Sequence, residues 1–98
     1  MHMEITPLYT KVEKSIQTLY GVVVLESTEN FPQNESNLYC LTPDGKLLWI
    51  AEKPESYTLY IRVMLNEIGA TLSTYTLSND ACEIDMLTGK ILSKTSFR

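Results

Sequence analysis

The sequence predicts an all-β chain of about eight antiparallel strands in two four-stranded meanders, packed as a sandwich or open barrel. Three observations carry this: turn dipeptides between apolar runs, side-chain alternation of period two, and an internal repeat. The length of 98 residues fits a single domain, 1–98, with enough chain for one modest core.

The amino-terminal stretch reads two ways. Thr6-Pro7 could open a helix over 7–19 whose stripe is Leu8, Val12, Ile16, Leu19 and Tyr20, giving an α+β alternative; the β reading places a strand over 12–18. Val22 to Leu25 is apolar and mostly β-branched and predicts a strand, taken as Val22–Glu26 in the repeat below. Thr28 to Asn37 is rich in Asn, Glu and Ser around Pro32 and predicts a surface loop, in which Asn34-Glu35-Ser36 is a polar stretch rather than a glycosylation acceptor.

Pro43-Asp44-Gly45 separates Leu38–Leu41 from Lys46–Ala51, and Thr88-Gly89 separates Cys82–Asp85 from Lys90–Lys94. Asp-Gly and Thr-Gly supply the positive φ that tight connections between right-twisted strands need, so both read as hairpins. Between them, Thr58–Leu65 alternates apolar and polar side chains as a half-buried strand does. The competing helical pattern takes Tyr57, Tyr60, Ile61, Met64, Leu65 and Ile68, with Ser56 as N-cap and Gly69 as terminator. Aromatic and β-branched content favours the strand, and Ala70–Leu77 follows as the next one.

Laying Asp44-Gly45-Lys46-Leu47-Leu48 over Thr88-Gly89-Lys90-Ile91-Leu92 gives an offset of 44 residues, with Leu41 meeting Ile84 after a one-residue gap. The repeat spans roughly 12–52 and 58–96, four strands in each copy. The stretches Ile84 to Leu92 and Leu41 to Trp49 resemble the blades of quinoprotein-type β-propellers, whose repeats often end in an Ile-Asp or Leu-Asp pair, a Thr-Gly or Asp-Gly turn, Lys, two apolar residues and Trp. They cover about a fifth of the chain; Thr42 stands where the first copy would have Asp, and Ser93 where the second would have Trp. The sequence is also similar to short, uncharacterised bacterial proteins that carry one such repeat pair. The resemblance implies a half-propeller-like fold and no activity, and it favours a strand over 12–19. A ring needs at least about four blades, so two meanders leave edges to be covered, charged or partnered.

Composition excludes several functions. The longest apolar run, Gly21 to Leu25, is far short of the roughly 20 residues that cross a bilayer. No basic-then-apolar leader is visible, so no membrane association and cytoplasmic residence are expected, and Met1-His2 reads as a cloning remnant. A net charge of −4 with scattered Lys and Arg argues against nucleic acid. Cys40 and Cys82 make no metal or redox motif and read as buried thiols; a disulfide would need export and close approach.

Catalysis lacks a base, since the single histidine, His2, stands at the terminus. No cofactor or metal is expected, and the protein is not expected to be an enzyme. The densest carboxylates, Asp80, Glu83 and Asp85, read as solvent-facing strand positions; the alternative is a small-molecule-binding protein or minor enzyme using them in a pocket between the meanders. The main expectation is a non-enzymatic protein-interaction module that binds a protein partner or itself, as a homo-oligomer, through a sheet face or edge. Aromatic side chains often anchor such contacts, and Trp49, Tyr57 and Tyr60 are the candidates, Tyr60 being expected on the exposed face of its strand.

Overall fold

The computed structural model describes residues 4–66, 68 and 70–97. The expected roles of His2 in a terminus and Gly69 at a turn lie outside the described residues. The described residues contain no helix, and the fold is all-β. Its strands are β1 (Val12–Gln17), β2 (Val22–Glu26), β3 (Leu38–Leu41), β4 (Leu47–Ile50), β5 (Tyr60–Leu65), β6 (Thr71–Thr76), β7 (Asp80–Asp85) and β8 (Ile91–Ser96). They form two open antiparallel sheets, ordered β1-β2-β3-β4 and β5-β6-β7-β8. The helical alternatives over 7–19 and 57–68 are not realised. Short local connections favour antiparallel meanders, and the β-branched runs pack better on a pleated surface than on a helix.

One face of each sheet meets the other in a common core. Val23, Leu25, Leu38, Cys40, Trp49 and Ala51 come from the first sheet side, and Tyr60, Val63, Leu72, Cys82, Ile84 and Met86 from the second. The first sheet has a second buried face, where Val22, Val24, Tyr39 and Leu41 pack with Ile5 and Val12. An amino-terminal strap therefore covers the side of the first sheet that the second sheet does not.

Glu26 holds this strap. It is 1% exposed, and its carboxylate accepts the backbone N–H groups of Leu8 at 2.6 Å, Tyr9 at 3.1 Å and Thr10 at 2.9 Å. The Tyr39 hydroxyl donates to the same carboxylate. Burial works to raise the Glu26 pKa, but the donors from Thr10, Tyr39, Leu8 and Tyr9 outweigh it and hold the carboxyl below its ordinary range. Tyr39 is pushed in the opposite direction, by burial first and then by the Glu26 charge.

The junction between the sheets is made by polar side chains acting as surrogate backbone. Asn37 is fully buried; its Oδ1 accepts the Tyr60 N–H at 2.9 Å, and its Nδ2 donates to the Tyr60 carbonyl at 2.7 Å and the Glu26 carbonyl at 2.8 Å. One carboxamide thus supplies both partners that a neighbouring strand would offer Tyr60. Further along β5, the Lys14 ammonium donates to the Val63 carbonyl at 2.9 Å. The loop expected to be wholly superficial in fact buries Phe31, Ser36 and Asn37, because it carries this junction. Lys53 fixes the same region from below, donating to the carbonyls of Gln33, Glu35 and Ser56 at 2.7, 2.8 and 2.6 Å.

The repeat is visible in three dimensions. Both hairpins carry a register shift at the same place: Cys40 pairs Trp49 and Leu41 pairs Leu47, while Glu83 pairs Ser93 and Ile84 pairs Ile91. The skipped residues, Leu48 and Leu92, are the aligned pair, so Trp49 corresponds to Ser93 and Ile50 to Lys94.

Candidate functional site

Two of the three aromatic candidates are core residues. Tyr60 is 0% exposed, which corrects the expectation of an outward ring: its position in β5 pairs with Thr76 and points into the core shared by the sheets. Its hydroxyl donates to the Glu52 carbonyl, and burial, then the Cys82 and Glu52 charges, push its pKa well above the ordinary tyrosine value. Trp49 is also buried, with Nε1 donating to the Met86 carbonyl at 2.9 Å. Its ring lies over Gly89, where an added Cβ would come within 2.6 Å of it. Tyr57 is 77% exposed.

The carboxylates proposed as a set are not one. Asp80 is fully buried and accepts from the Ser96 and Ser78 hydroxyls at 2.6 and 3.1 Å. Glu83 stands on the opposite face of β7 and is exposed, by the parity of a strand. Asp85 shares that opposite face and caps the following turn, accepting the Leu87 N–H at 3.1 Å and the Thr88 hydroxyl at 3.0 Å. Among the described residues no group of three or more His, Cys, Asp or Glu side chains is placed to hold a metal ion.

Cys40 and Cys82 are both free, both buried and both part of the shared core. Burial pushes the Cys40 thiol up to about 11 and raises Cys82 as well, the latter also through Asp80, so both thiols stay protonated and unreactive at neutral pH.

Two surface features remain. The first is a groove of about 470 Å³ at the seam of the sheets, with Glu13, Lys14 and Leu25 on one wall and Ile61, Arg62, Val63, Met64 and Ser73 to Tyr75 on the other. A neighbouring depression of about 190 Å³ shares Glu13, Leu25 and Ile61 and continues the groove toward Thr28. None of Asp80, Glu83 and Asp85 lines either.

The second is the β4 edge. Within its sheet β4 pairs with β3 alone, and Leu47, Leu48 and Ile50 are 49%, 43% and 45% exposed; just past the strand, the Glu52 N–H donates to the Gly89 carbonyl at 2.9 Å and the Glu52 carbonyl accepts from the Tyr60 hydroxyl, so the second sheet closes that end of the edge. No charged residue stands between Lys46 and Glu52. Edge strands that must stay unpaired usually carry a charge, above all Lys. β8, the equivalent edge of the second sheet, has Lys94 where β4 has Ile50. Sequence reading missed this site because it sought aromatics; the Ile50–Lys94 difference was already visible in the aligned repeat.

No curated protein and no solved structure matches this chain. The family model described as Domain of unknown function (DUF7957) matches residues 6–96. The chain, matched over nearly its whole length and folded as two repeated antiparallel meanders, belongs to the DUF7957 family.

Proposed function

We propose that this protein is a non-enzymatic interaction module that binds polypeptide by adding a strand to the β4 edge. The observation that carries the reading is Ile50: an exposed aliphatic side chain on an unpaired, uncharged edge, at the place where the equivalent edge carries Lys94. Strand addition draws affinity from main-chain hydrogen bonds and selectivity from alternate side chains, and needs no catalytic group. Free thiols at Cys40 and Cys82 support work in a reducing compartment, the cytoplasm of a bacterium.

Selection from a library of extended peptides tests this. Wild-type protein enriches binders, and Ile50→Lys weakens them by about tenfold or more while leaving the circular dichroism spectrum unchanged. Binders that are indifferent to Ile50→Lys, or no enrichment, refute the β4 reading.

A second reading rests on the groove. Its volume lies within the range of roughly 300–1,000 Å³ typical of small-molecule sites, and Lys14 and Arg62 beside Leu25, Ile61 and Met64 suit an apolar carboxylate. A thermal-shift screen of such acids, with Arg62→Gln as the control that abolishes any shift, decides it.

A further inference from the structure

We infer that the groove at the seam of the sheets takes an apolar zwitterion, a short peptide with both termini free, its ammonium on Glu13 and its carboxylate on Arg62. The inference rests on the reading of the groove as a small-molecule site and names the ligand class. Most of the polar groups that line the groove are already used by the fold. The Lys14 ammonium donates to the Val63 carbonyl at 2.9 Å, and the Ser73 hydroxyl to Asn66 Oδ1 at 2.7 Å. The Thr74 hydroxyl donates to the Cys82 carbonyl at 2.8 Å, and the Tyr75 hydroxyl to Asn79 Oδ1 at 3.1 Å. That leaves one anion and one cation. Among the described residues neither Glu13 nor Arg62 makes a hydrogen bond or an ion pair.

The two stand on opposite walls. Glu13 comes from β1 and Arg62 from β5, the edge strands of the two sheets. Each strand is irregular at that place: the register shifts between Val12 and Lys14 on β1, and between Tyr60 and Arg62 on β5. A bulge re-aims the side chains beside it, and both bulges lie on the strands that wall the groove. The remaining lining, Leu25, Ile61, Val63 and Met64, is apolar.

Opposite charges on facing walls with an apolar lining complement a ligand that has an ammonium at one end, a carboxylate at the other and aliphatic side chains. A plain apolar carboxylate meets Arg62 but sets its aliphatic chain beside Glu13, stripping water from a carboxylate that gains no partner. An ammonium removes that cost. Glu13 also lines the neighbouring depression, where Arg62 does not reach. The Glu26 carboxylate in that depression is given to the strap amides, so Glu13 is the acceptor left there. The amino end of the ligand therefore lies toward the depression, and the carboxylate meets the guanidinium fork of Arg62 in the main groove.

Isothermal titration of the intact chain with leucyl-leucine, its N-acetyl derivative, its C-terminal amide and octanoate tests the assignment. Wild type is expected to bind leucyl-leucine about tenfold or more tightly than any of the other three, the worth of one charge-assisted hydrogen bond. Glu13→Gln is expected to weaken leucyl-leucine by about that factor and to leave the N-acetyl derivative unchanged. Arg62→Gln is expected to weaken leucyl-leucine likewise and to leave the amide unchanged. Both residues are exposed, so both variants are expected to keep the wild-type circular dichroism spectrum. An N-acetyl derivative that binds as tightly as the free peptide, or a Glu13→Gln chain that binds leucyl-leucine as wild type does, overturns the zwitterion. If octanoate binds through Arg62 and leucyl-leucine does not bind, the groove stands as a carboxylate site and this ligand class falls; if no probe binds, both fall.

Discussion

The two sheets share strand order, hairpin turns and a register shift at the same place, yet the first is buried on both faces and the second on one. The difference lies in a few substitutions between repeats. Leu38, Cys40, Trp49 and Ala51 form the face that the first sheet turns toward the second. The paired positions of the second repeat are Ala81, Glu83, Ser93 and Thr95, which lie on its outward face. The apolar set buries side chains worth roughly 1.5–3 kcal/mol each for the large ones, whereas the small and polar set can rest against water. The backbone pattern of the repeat makes the sheets; these side chains decide where stacking stops.

The strongest way to break the pairing of the sheets is to remove Asn37. Asn37→Ala leaves the buried Tyr60 N–H and C=O without their partners and takes a donor from the Glu26 carbonyl. At about 1–3 kcal/mol for each of the two unsatisfied Tyr60 groups, the loss is about 2–6 kcal/mol, a large share of the roughly 5–15 kcal/mol that holds a small domain folded. Urea unfolding followed by Trp49 fluorescence measures it. A loss below about 1 kcal/mol would mean that water replaces the carboxamide.

The hairpin glycines give a matched comparison. Gly45 and Gly89 both have positive φ, 88° and 76°, but an added Cβ meets nothing within 4 Å at Gly45 and the Trp49 ring at 2.6 Å at Gly89. Left-handed strain costs about 1–2 kcal/mol at each, and overpacking adds about 1–3 kcal/mol at Gly89 alone. Gly89→Ala is therefore expected to lower the thermal midpoint well beyond Gly45→Ala. Equal effects would show that the contact between Trp49 and the second hairpin yields freely.

These elements differ in how legible they were. The turns at Gly45 and Gly89 and the strands around them follow from local chemistry, which is why the eight strands fall almost where alternation and Asp-Gly or Thr-Gly signals put them. The strand ends shifted outward in the second hairpin, with β7 beginning at Asp80 and β8 reaching Ser96, because pairing between neighbours continues past the apolar core. Tyr60 was misplaced for a related reason. A register shift between Tyr60 and Arg62 breaks the alternation from which its outward position was read. Asn37 and Glu26 were invisible as functional positions, since their roles depend on backbone groups brought together from distant segments.

Glu26 distinguishes the strap-covered face from the rest. Its pKa is depressed in the folded state, so its stabilisation is complete well above the ordinary carboxylate value of 4.5 and is lost as pH falls through the lower folded value. Glu26→Gln keeps an acceptor but removes the charge, and is expected to cost about 1–3 kcal/mol at neutral pH. Hydrogen exchange should localise the effect to the amides of Leu8, Tyr9 and Thr10 while the second sheet stays protected. Uniform loss of protection would mean that the strap is not a separable layer.

The smallest expected effect is at Glu83. It stands on β7 at the place where β3 has Cys40, opposite Ser93 as Cys40 is opposite Trp49, and it is exposed. With its outward face against water, Glu83→Gln should change stability by no more than about 0.5 kcal/mol, as exposed substitutions usually do. The reverse exchange, Cys40→Glu, sets an unpaired carboxylate in the shared core and should prevent folding. The same residue type at two register-equivalent positions then has opposite consequences, because one sheet face is an interface and the other an end. A substantial loss on Glu83→Gln, measured by chemical denaturation, would show that the outward face of the second sheet is also an occupied surface.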